Sequence, residues 1–466
     1  MPPTVAVIGG GISGLAACYY LARSPNPPKV LLLEASARLG GWLQSTRTAE
    51  GTVFEHGPRG IRPGGAVGAD TLHMVSQLGL EGDILPVPGD HLASRNRFLY
   101  TGGALHKLPS GLGGLLRPVP PFSRALIWSG LQDLLAPAGT EPDESVHSFA
   151  QRRFGREVAD VAVDSLCRGV FAGDCRALSV RCCFPALFQA ERRRRSVLLG
   201  LALGSGERRG RGRDAGARRC RWHGRGAQRS CRRPQGSSAG PNARVSFPVP
   251  PPPMFSFPQL TLPDGTVTAD HVVSALPAAA LAEVLPAEAE QLAQELRHIP
   301  AVPVAVVNLQ YQGVTLPVTG FGHLVPSSED ASLLGIVYDS VAFPQHNGTA
   351  ATSVRLTVML GGAWFQQSFG DPALVAPGLL LQRAQAAVRE QLGLESAPTR
   401  SIIRVQQACI PQYTLGHWRR TERIKHFLAE QQLPLSLIGA SYAGVSVNDC
   451  IASAKAAVGQ LLGGLP

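Results

Sequence analysis

Val5-Ala6-Val7-Ile8 runs directly into Gly9-Gly10-Gly11-Ile12-Ser13-Gly14, and the reading of these ten residues decides the fold. The apolar run has the β-branched character of a buried strand. The glycines form a G-x-G-x-x-G turn, and an apolar helical pattern comes next at Leu15, Ala16, Ala17, Tyr20 and Leu21. A second apolar run, Val30-Leu31-Leu32-Leu33, ends in Glu34, twenty residues beyond Gly14. Strand, glycine turn, helix, strand and acid in this order make the dinucleotide fingerprint in its required context. The glycines let the backbone turn tightly and approach a pyrophosphate. The helix N-terminus supplies unpaired N–H groups for the anion. Glu34 is then placed to accept hydrogen bonds from an adenosine ribose.

The residues beyond Glu34 narrow the cofactor. Arg38-Leu39-Gly40-Gly41-Trp42 brings a second glycine pair, which NAD does not need and a longer cofactor would use. Thr52-Val-Phe-Glu-His56-Gly57-Pro58-Arg59-Gly60 reads as a strand ending in a glycine-flanked arginine. At the far end, Leu435-Ser-Leu-Ile438-Gly439-Ala440 through Gly444 and Asn448 reads as strand, glycine-rich turn and helix. The two ends of the chain are therefore expected to form one site.

These spacings resemble the FAD-dependent amine oxidase and protoporphyrinogen oxidase superfamily. Phe54–Arg62, Asn96–Tyr100, Asp164–Asp174, Gly320–Ser328 and Ile410–Trp418 closely resemble its animal mitochondrial branch, over about residues 4–190 and 260–460. The resemblance implies an α/β fold: a Rossmann-like FAD-binding domain, a mixed-sheet substrate domain and a helical membrane-associated domain. It implies FAD contacts at Gly9, Gly10, Gly11, Ile12, Ser13, Gly14, Glu34, Ala35, Gly40, Gly41, Trp42, Gly57, Pro58, Arg59, Gly60, Ala440, Val445, Ser446 and Val447. It also implies oxygen-dependent, six-electron oxidation of protoporphyrinogen IX to protoporphyrin IX in haem biosynthesis. Hydride leaves a carbon bridge in each of three cycles, and dioxygen as acceptor yields hydrogen peroxide.

A flat tetrapyrrole calls for apolar walls and a few cations. The walls carried over by the resemblance are Phe98, Leu166, Phe321, Leu324, Ile336 and Met359, with Gly169 allowing close approach of the substrate. Arg97 is the candidate partner of a propionate, since a guanidinium pairs a carboxylate in bidentate fashion. For Arg59, substrate orientation and support of the cofactor loop are both open. No side chain is assigned as a general acid or base. The chain has four lysines (Lys29, Lys107, Lys425 and Lys455), none in a flavin motif, which argues against amine oxidation. No metal is expected: the nine cysteines form no C-x-x-C pair, and the histidines do not cluster. His323 and His417 are read as structural.

The net charge of +11 invites a nucleic-acid reading, but residues 191–235 hold fifteen Arg and three acids. They carry +12 of it and leave about −1 for the rest, so nucleic acid is excluded as a general partner. This stretch and the prolines at 248–253 lack the apolar periodicity of a core. Three readings stay open: an Arg-Gly tract that binds RNA, a disordered insertion, or foreign sequence replacing family sequence over 191–259. The last would give a non-catalytic isoform or defective product unable to hold FAD.

No run of about twenty apolar residues spans a bilayer. Residues 108–137 nevertheless combine Leu112, Leu115, Leu116, Phe122, Leu126, Ile127, Trp128, Leu131, Leu134 and Leu135 with Arg117 and Arg124. That mixture suits a membrane interface as well as a buried helix pair. The resemblance favours a monotopic protein, homodimeric, on the intermembrane-space side of the mitochondrial inner membrane. The expected organisation is FAD-binding pieces at 1–90, 260–290 and 405–466, a helical domain at 91–206, an anomalous segment at 207–259, and a substrate sheet at 291–404.

Overall fold

Thr4–Ile8 lies inside a four-stranded parallel sheet, in the order Leu435–Leu437, His271–Ser274, Thr4–Ile8, Lys29–Leu33. The computed structural model describes residues 2–109, 111–204, 219–221, 244–246, 258–262, 265–349 and 352–464. Val5, Ala6 and Val7 are fully buried, because both faces of a parallel sheet carry helices. Ala6 packs with Val272, Leu281, Leu292 and Leu296 on one face. Val5 and Val7 pack with Ala16, Ala17 and Leu21 of Ile12–Ala22 and with Ile451, Ala454 and Val458 of Val447–Gly464 on the other. Residues from the two ends of the chain thus share one core.

A second, seven-stranded sheet runs Arg400–Pro411, Ala301–Tyr311, Val354–Gly361, Leu333–Tyr338, Gly322–Leu324, Phe98–Thr101, Ala104–Lys107. It is mixed, antiparallel except where Gly322–Leu324 meets Phe98–Thr101. Pro377–Leu392 covers one face through Leu380, Ala384, Ala387 and Val388. Phe98–Thr101 and Ala104–Lys107 correct the expected boundary at 91, since both belong to this sheet and the helical part starts only at Leu112–Leu115. The boundary at 405 likewise falls inside the edge strand Arg400–Pro411. Hydrogen-bond partners distant in sequence decide both cases, and a linear reading does not see them.

The helical part includes Leu126–Leu135, Val146–Phe154, Asp164–Phe171, Pro185–Arg194 and Val197–Gly204. Ser145 caps the second of these, its Oγ accepting from Ser148 N at 3.1 Å. A buried charge cluster joins these helices. Arg153 is fully buried and donates to Glu191 (Nε–Oε1 2.8 Å) and to the carbonyls of Asp133 and Arg195. Asp133, also fully buried, accepts from Ser196 Oγ at 2.6 Å and Leu198 N at 2.9 Å, which caps Val197–Gly204.

The anomalous segment expected at 207–259 lies mostly outside the described residues. Two short strands there are a correction to the reading of it as structureless. Arg219–Arg221 pairs with Leu85–Val87, and Arg244–Ser246 pairs with Gln259–Leu262. Edge pairing needs only backbone groups, so composition does not forbid it.

His271, His323 and His417 are each pushed by burial to a pKa of about 4. The unfolded chain takes up these protons below about pH 6.5 and the native chain does not until about pH 4. Stability is therefore full above pH 6.5 and falls as the pH drops through this window. Chemical denaturation at pH 7 and 5.5 should show a loss of about 1 kcal/mol per histidine. Constant stability over that range would refute the assignment.

Candidate active site

Gly9 has φ 99°, so the chain leaves the first strand through a left-handed turn that glycine alone adopts readily. A Cβ on Gly14 would overlap the Gly9 carbonyl oxygen, and one on Gly10 would crowd Leu39 and Glu34. Ile12–Ala22 starts at Gly11 with no side-chain cap, leaving its first-turn N–H groups for an anion. Glu34 Oε2 accepts from Gly10 N at 2.6 Å, and Oε1 accepts from Ser36 N at 2.8 Å. The carboxylate is thereby fixed beside the glycine turn.

The second glycine pair packs onto the first. Gly40 N donates to Gly10 O at 2.8 Å, and a Cβ on Gly41 would stand 3.0 Å from Gly11 Cα. Arg38 holds this turn by donating to the carbonyls of Gly41 and Leu43. A Cβ on Gly57 would overlap the Trp42 carbonyl oxygen, so the loop Gly57-Pro58-Arg59-Gly60 lies against the same turn. From the C-terminal end, Asn448 Nδ2 donates to Arg62 O at 2.7 Å, and Gly439 sits beside Ser13 Oγ. Ser446 and Asp449 form a capping box at the start of Val447–Gly464: Asp449 N donates to Ser446 Oγ and Ser446 N to Asp449 Oδ2, each at 3.1 Å. Tyr413 donates to Ala440 O, and the His417 ring stacks on Tyr413 at 4.4 Å. His417 is thus structural, as is His323, bound to Tyr338 and Gln391 at 2.7 Å each.

The structure therefore packs Gly9–Gly14, Glu34, Gly40–Trp42, Gly57–Gly60 and the C-terminal turn that begins at Gly439 against one another, at the place read as the cofactor cleft. Buried Ser274 Oγ, Tyr442 Oη and Asn448 Oδ1, from a strand, a turn and a helix of the same domain, have no hydrogen-bond partner among the described residues. A cradle made of glycines, an uncapped helix start and orphaned polar atoms fit an extended dinucleotide.

The seven-stranded sheet supplies the wall expected for the substrate. Val306, Met359, Gly335 and Leu324 are successive cross-strand partners and share one face. Asn308, Thr357, Val337 and Gly322 form the next row of that face. Ile336 and Phe98 are corrections. Both register with His323, in the row of Val307 and Val358, so they belong to the opposite face. Ile336 is fully buried there against Pro377–Leu392. A strand turns alternate residues to opposite faces, and motif resemblance does not reveal that phase. The register instead brings in Val337, which the sequence reading missed.

Gly169 lies against the wall residue Leu324, whose Cδ2 would lie 2.7 Å from an added Cβ, and so seats Asp164–Phe171 against the sheet. Leu166 on that helix is 42 % exposed, and Phe321 is half-buried beside the strand Gly322–Leu324. Arg97 is solvent-accessible and has no carboxylate partner among the described residues. Desolvation and then the nearby Arg62 cation lower its pKa, and the two guanidinium groups make this corner cationic.

Arg59 is not free. Its Nη1 pairs with Asp339 Oδ1 at 2.8 Å, both side chains largely buried. Asp339 also accepts from Thr357 Oγ1, which receives Asn308 Nδ2 at 2.8 Å. Asn308 donates to Glu55 O as well, so its Oδ1 accepts from His56 Nδ1–H at 2.9 Å. Burial lowers the His56 pKa against the opposing bond to Asn308, and the Arg404, Arg59 and Arg38 cations lower it further. A neutral ring results, its Nε2 facing Thr46 Oγ1 at 2.7 Å. This network was missed in the sequence, although Asn308 inside the apolar run Val304–Tyr311 is the kind of buried polar residue that needs partners.

A model of the flavin containing amine oxidoreductase family matches residues 12–242 and 255–462. The chain belongs to that family, and is an FAD-dependent oxidoreductase. It is 55 % identical to protoporphyrinogen oxidase of Bos taurus over 482 residues, and 54 % identical to that of Homo sapiens over 478, with 100 % of each chain covered. Among solved structures, UDP-galactopyranose mutase superposes with a TM-score of 0.70 at 14 % identity, covering 99 % of this chain and 94 % of that one, which speaks for the fold alone. Full-length similarity of this kind, with the family match running through residues 191–242, does not favour the alternative of a chain unable to hold FAD.

Gly57→Val should force the Gly57–Gly60 loop away from Trp42. Flavin content of the purified variant, read from its visible absorption, should fall to less than about half of wild type. Full retention would show that the two loops need not touch.

Proposed function

We propose that this chain oxidises protoporphyrinogen IX to protoporphyrin IX, with dioxygen as final electron acceptor and hydrogen peroxide as product. The observation that carries this reading is the apolar sheet face Leu324, Val337 and Met359 adjoining the cofactor cleft, alongside the 55 % identity to a protoporphyrinogen oxidase. FAD, when bound, supplies the hydride acceptor. The residues of this chain position and shield. Leu166, Phe321, Leu324, Val337 and Met359 offer a water-poor surface for a flat macrocycle. Arg97, charged and accessible at the corner where Arg62 also stands, receives a propionate. No side-chain acid or base stands among these wall residues, which suits removal of hydride rather than proton transfer from the first contact layer.

The chain is read as a membrane-surface protein. Leu126–Leu135 is inverted relative to a helix in water: Asp133 is its fully buried residue, while Trp128 and Leu135 are 61 % and 85 % exposed. Val197–Gly204, joined to it through Asp133, adds Leu198, Leu199, Leu201 and Leu203, all more than 40 % exposed. Phe122, by contrast, is buried. An apolar surface of this extent, flanked by Arg117 and Arg124, supports an interfacial attachment. None of the described helices is long and apolar enough to cross a bilayer. We read this attachment as lying on the intermembrane-space side of the mitochondrial inner membrane, as the family resemblance implies.

The test of the activity is a flavin absorption spectrum of the purified chain, followed by porphyrin fluorescence and peroxide release with protoporphyrinogen IX. Absence of porphyrin formation by a flavin-loaded chain would refute it. Arg97→Ala should raise KM by about tenfold or more with a smaller change in kcat, as expected for a lost charge-assisted bond in the bound state. Replacing Trp128 and Leu135 together by Glu should reduce cosedimentation with anionic vesicles by at least about tenfold, leaving turnover in detergent intact. Unchanged vesicle binding would refute the attachment.

A further inference from the structure

The buried network beneath Arg59 runs in one direction. Thr46 faces His56, His56 donates to Asn308, Asn308 to Thr357, and Thr357 to Asp339. Asp339 is where this series and the Arg59 guanidinium both end. Its members come from separate parts of the fold. His56 and Arg59 belong to the loop that packs against the second glycine turn. Asn308 and Thr357 are register partners in the substrate sheet, and Asp339 opens the short helix Asp339–Ala342. Thr357 and Asn308 are 0 % and 1 % exposed, and Asp339 is 4 % exposed, so water does not substitute for these bonds.

We propose that Asp339 is a positioning residue: its carboxylate neutralises Arg59 and ties the loop Gly57–Gly60 to the substrate sheet, so that Arg59 is withdrawn from an anionic substrate while Arg97 stays open to one. Arg59 then acts on the cofactor through its fixed place in the loop rather than as a free charge. This resolves the two roles open for Arg59 in favour of loop support, and it rests on FAD lying in the cleft described above. A lone buried cation would attract electron density on the ring and would compete with Arg97 for a propionate.

The experiment compares wild type, Asp339→Asn and the double variant Arg59→Gln/Asp339→Asn as flavin-loaded proteins. The probe is sulfite, which adds to oxidised flavin as an anion and bleaches its visible band. Asp339→Asn keeps the side-chain shape but removes the charge. It should bind sulfite about tenfold more tightly than wild type, and the double variant should return to within about threefold of wild type. Sulfite affinity within about twofold of wild type in a flavin-loaded Asp339→Asn protein would overturn the proposal. Should Asp339→Asn lose flavin, the double variant decides: recovered flavin supports an uncompensated Arg59 charge as the cause, and continued loss overturns the proposal by making the pair merely structural. Absence of flavin from wild type would overturn the cofactor reading itself, and is read independently from the wild-type spectrum.

Discussion

The structure depends on one buried polar junction, where a loop of the cofactor domain meets the face of the substrate sheet. His56 and Arg59 on one side, and Asn308, Thr357 and Asp339 on the other, leave few buried donors or acceptors unmatched. Apolar contact alone would hold the two sheets together without fixing their offset, since dispersion and burial are nondirectional. Hydrogen bonds in a dry interior are directional, and breaking one leaves a group unsatisfied at a cost of about 1–3 kcal/mol. The distance between the cleft and the wall that faces it is therefore set by this junction.

The cofactor cleft itself is built by close backbone approach. Two glycine turns from the N-terminal piece touch at Gly11 and Gly41, and the C-terminal turn touches them at Ser13. Side chains at these points would separate the turns, so glycine serves contact here as well as conformation. The long C-terminal helix then joins the same core as the first helix, which explains why a discontinuous domain has a continuous interior.

The helical part solves a different problem. Its outer helices present leucines and a tryptophan outward and keep Asp133, Arg153 and Glu191 within. Burying charges is costly unless they are paired and hydrogen-bonded, and here each carboxylate meets a guanidinium. Turning apolar residues outward is costly in water, a cost that the membrane attachment proposed above would remove.

The dinucleotide fingerprint, the strand at Val5–Ile8 and the place of Glu34 beside the glycine turn were legible in the sequence because local rules govern them: a glycine turn, a helix start and an acid at a set spacing. What the sequence could not determine was which neighbour each strand would meet. Register placed Val337 beside Met359, put Ile336 and Phe98 on the opposite face, and filled the space at Gly169 with Leu324. It also gave Arg59 a carboxylate partner 280 positions away. Spacing along the chain encodes the local turn; the partner across a sheet or a domain junction is chosen by packing of the whole chain, and only tertiary structure decides it.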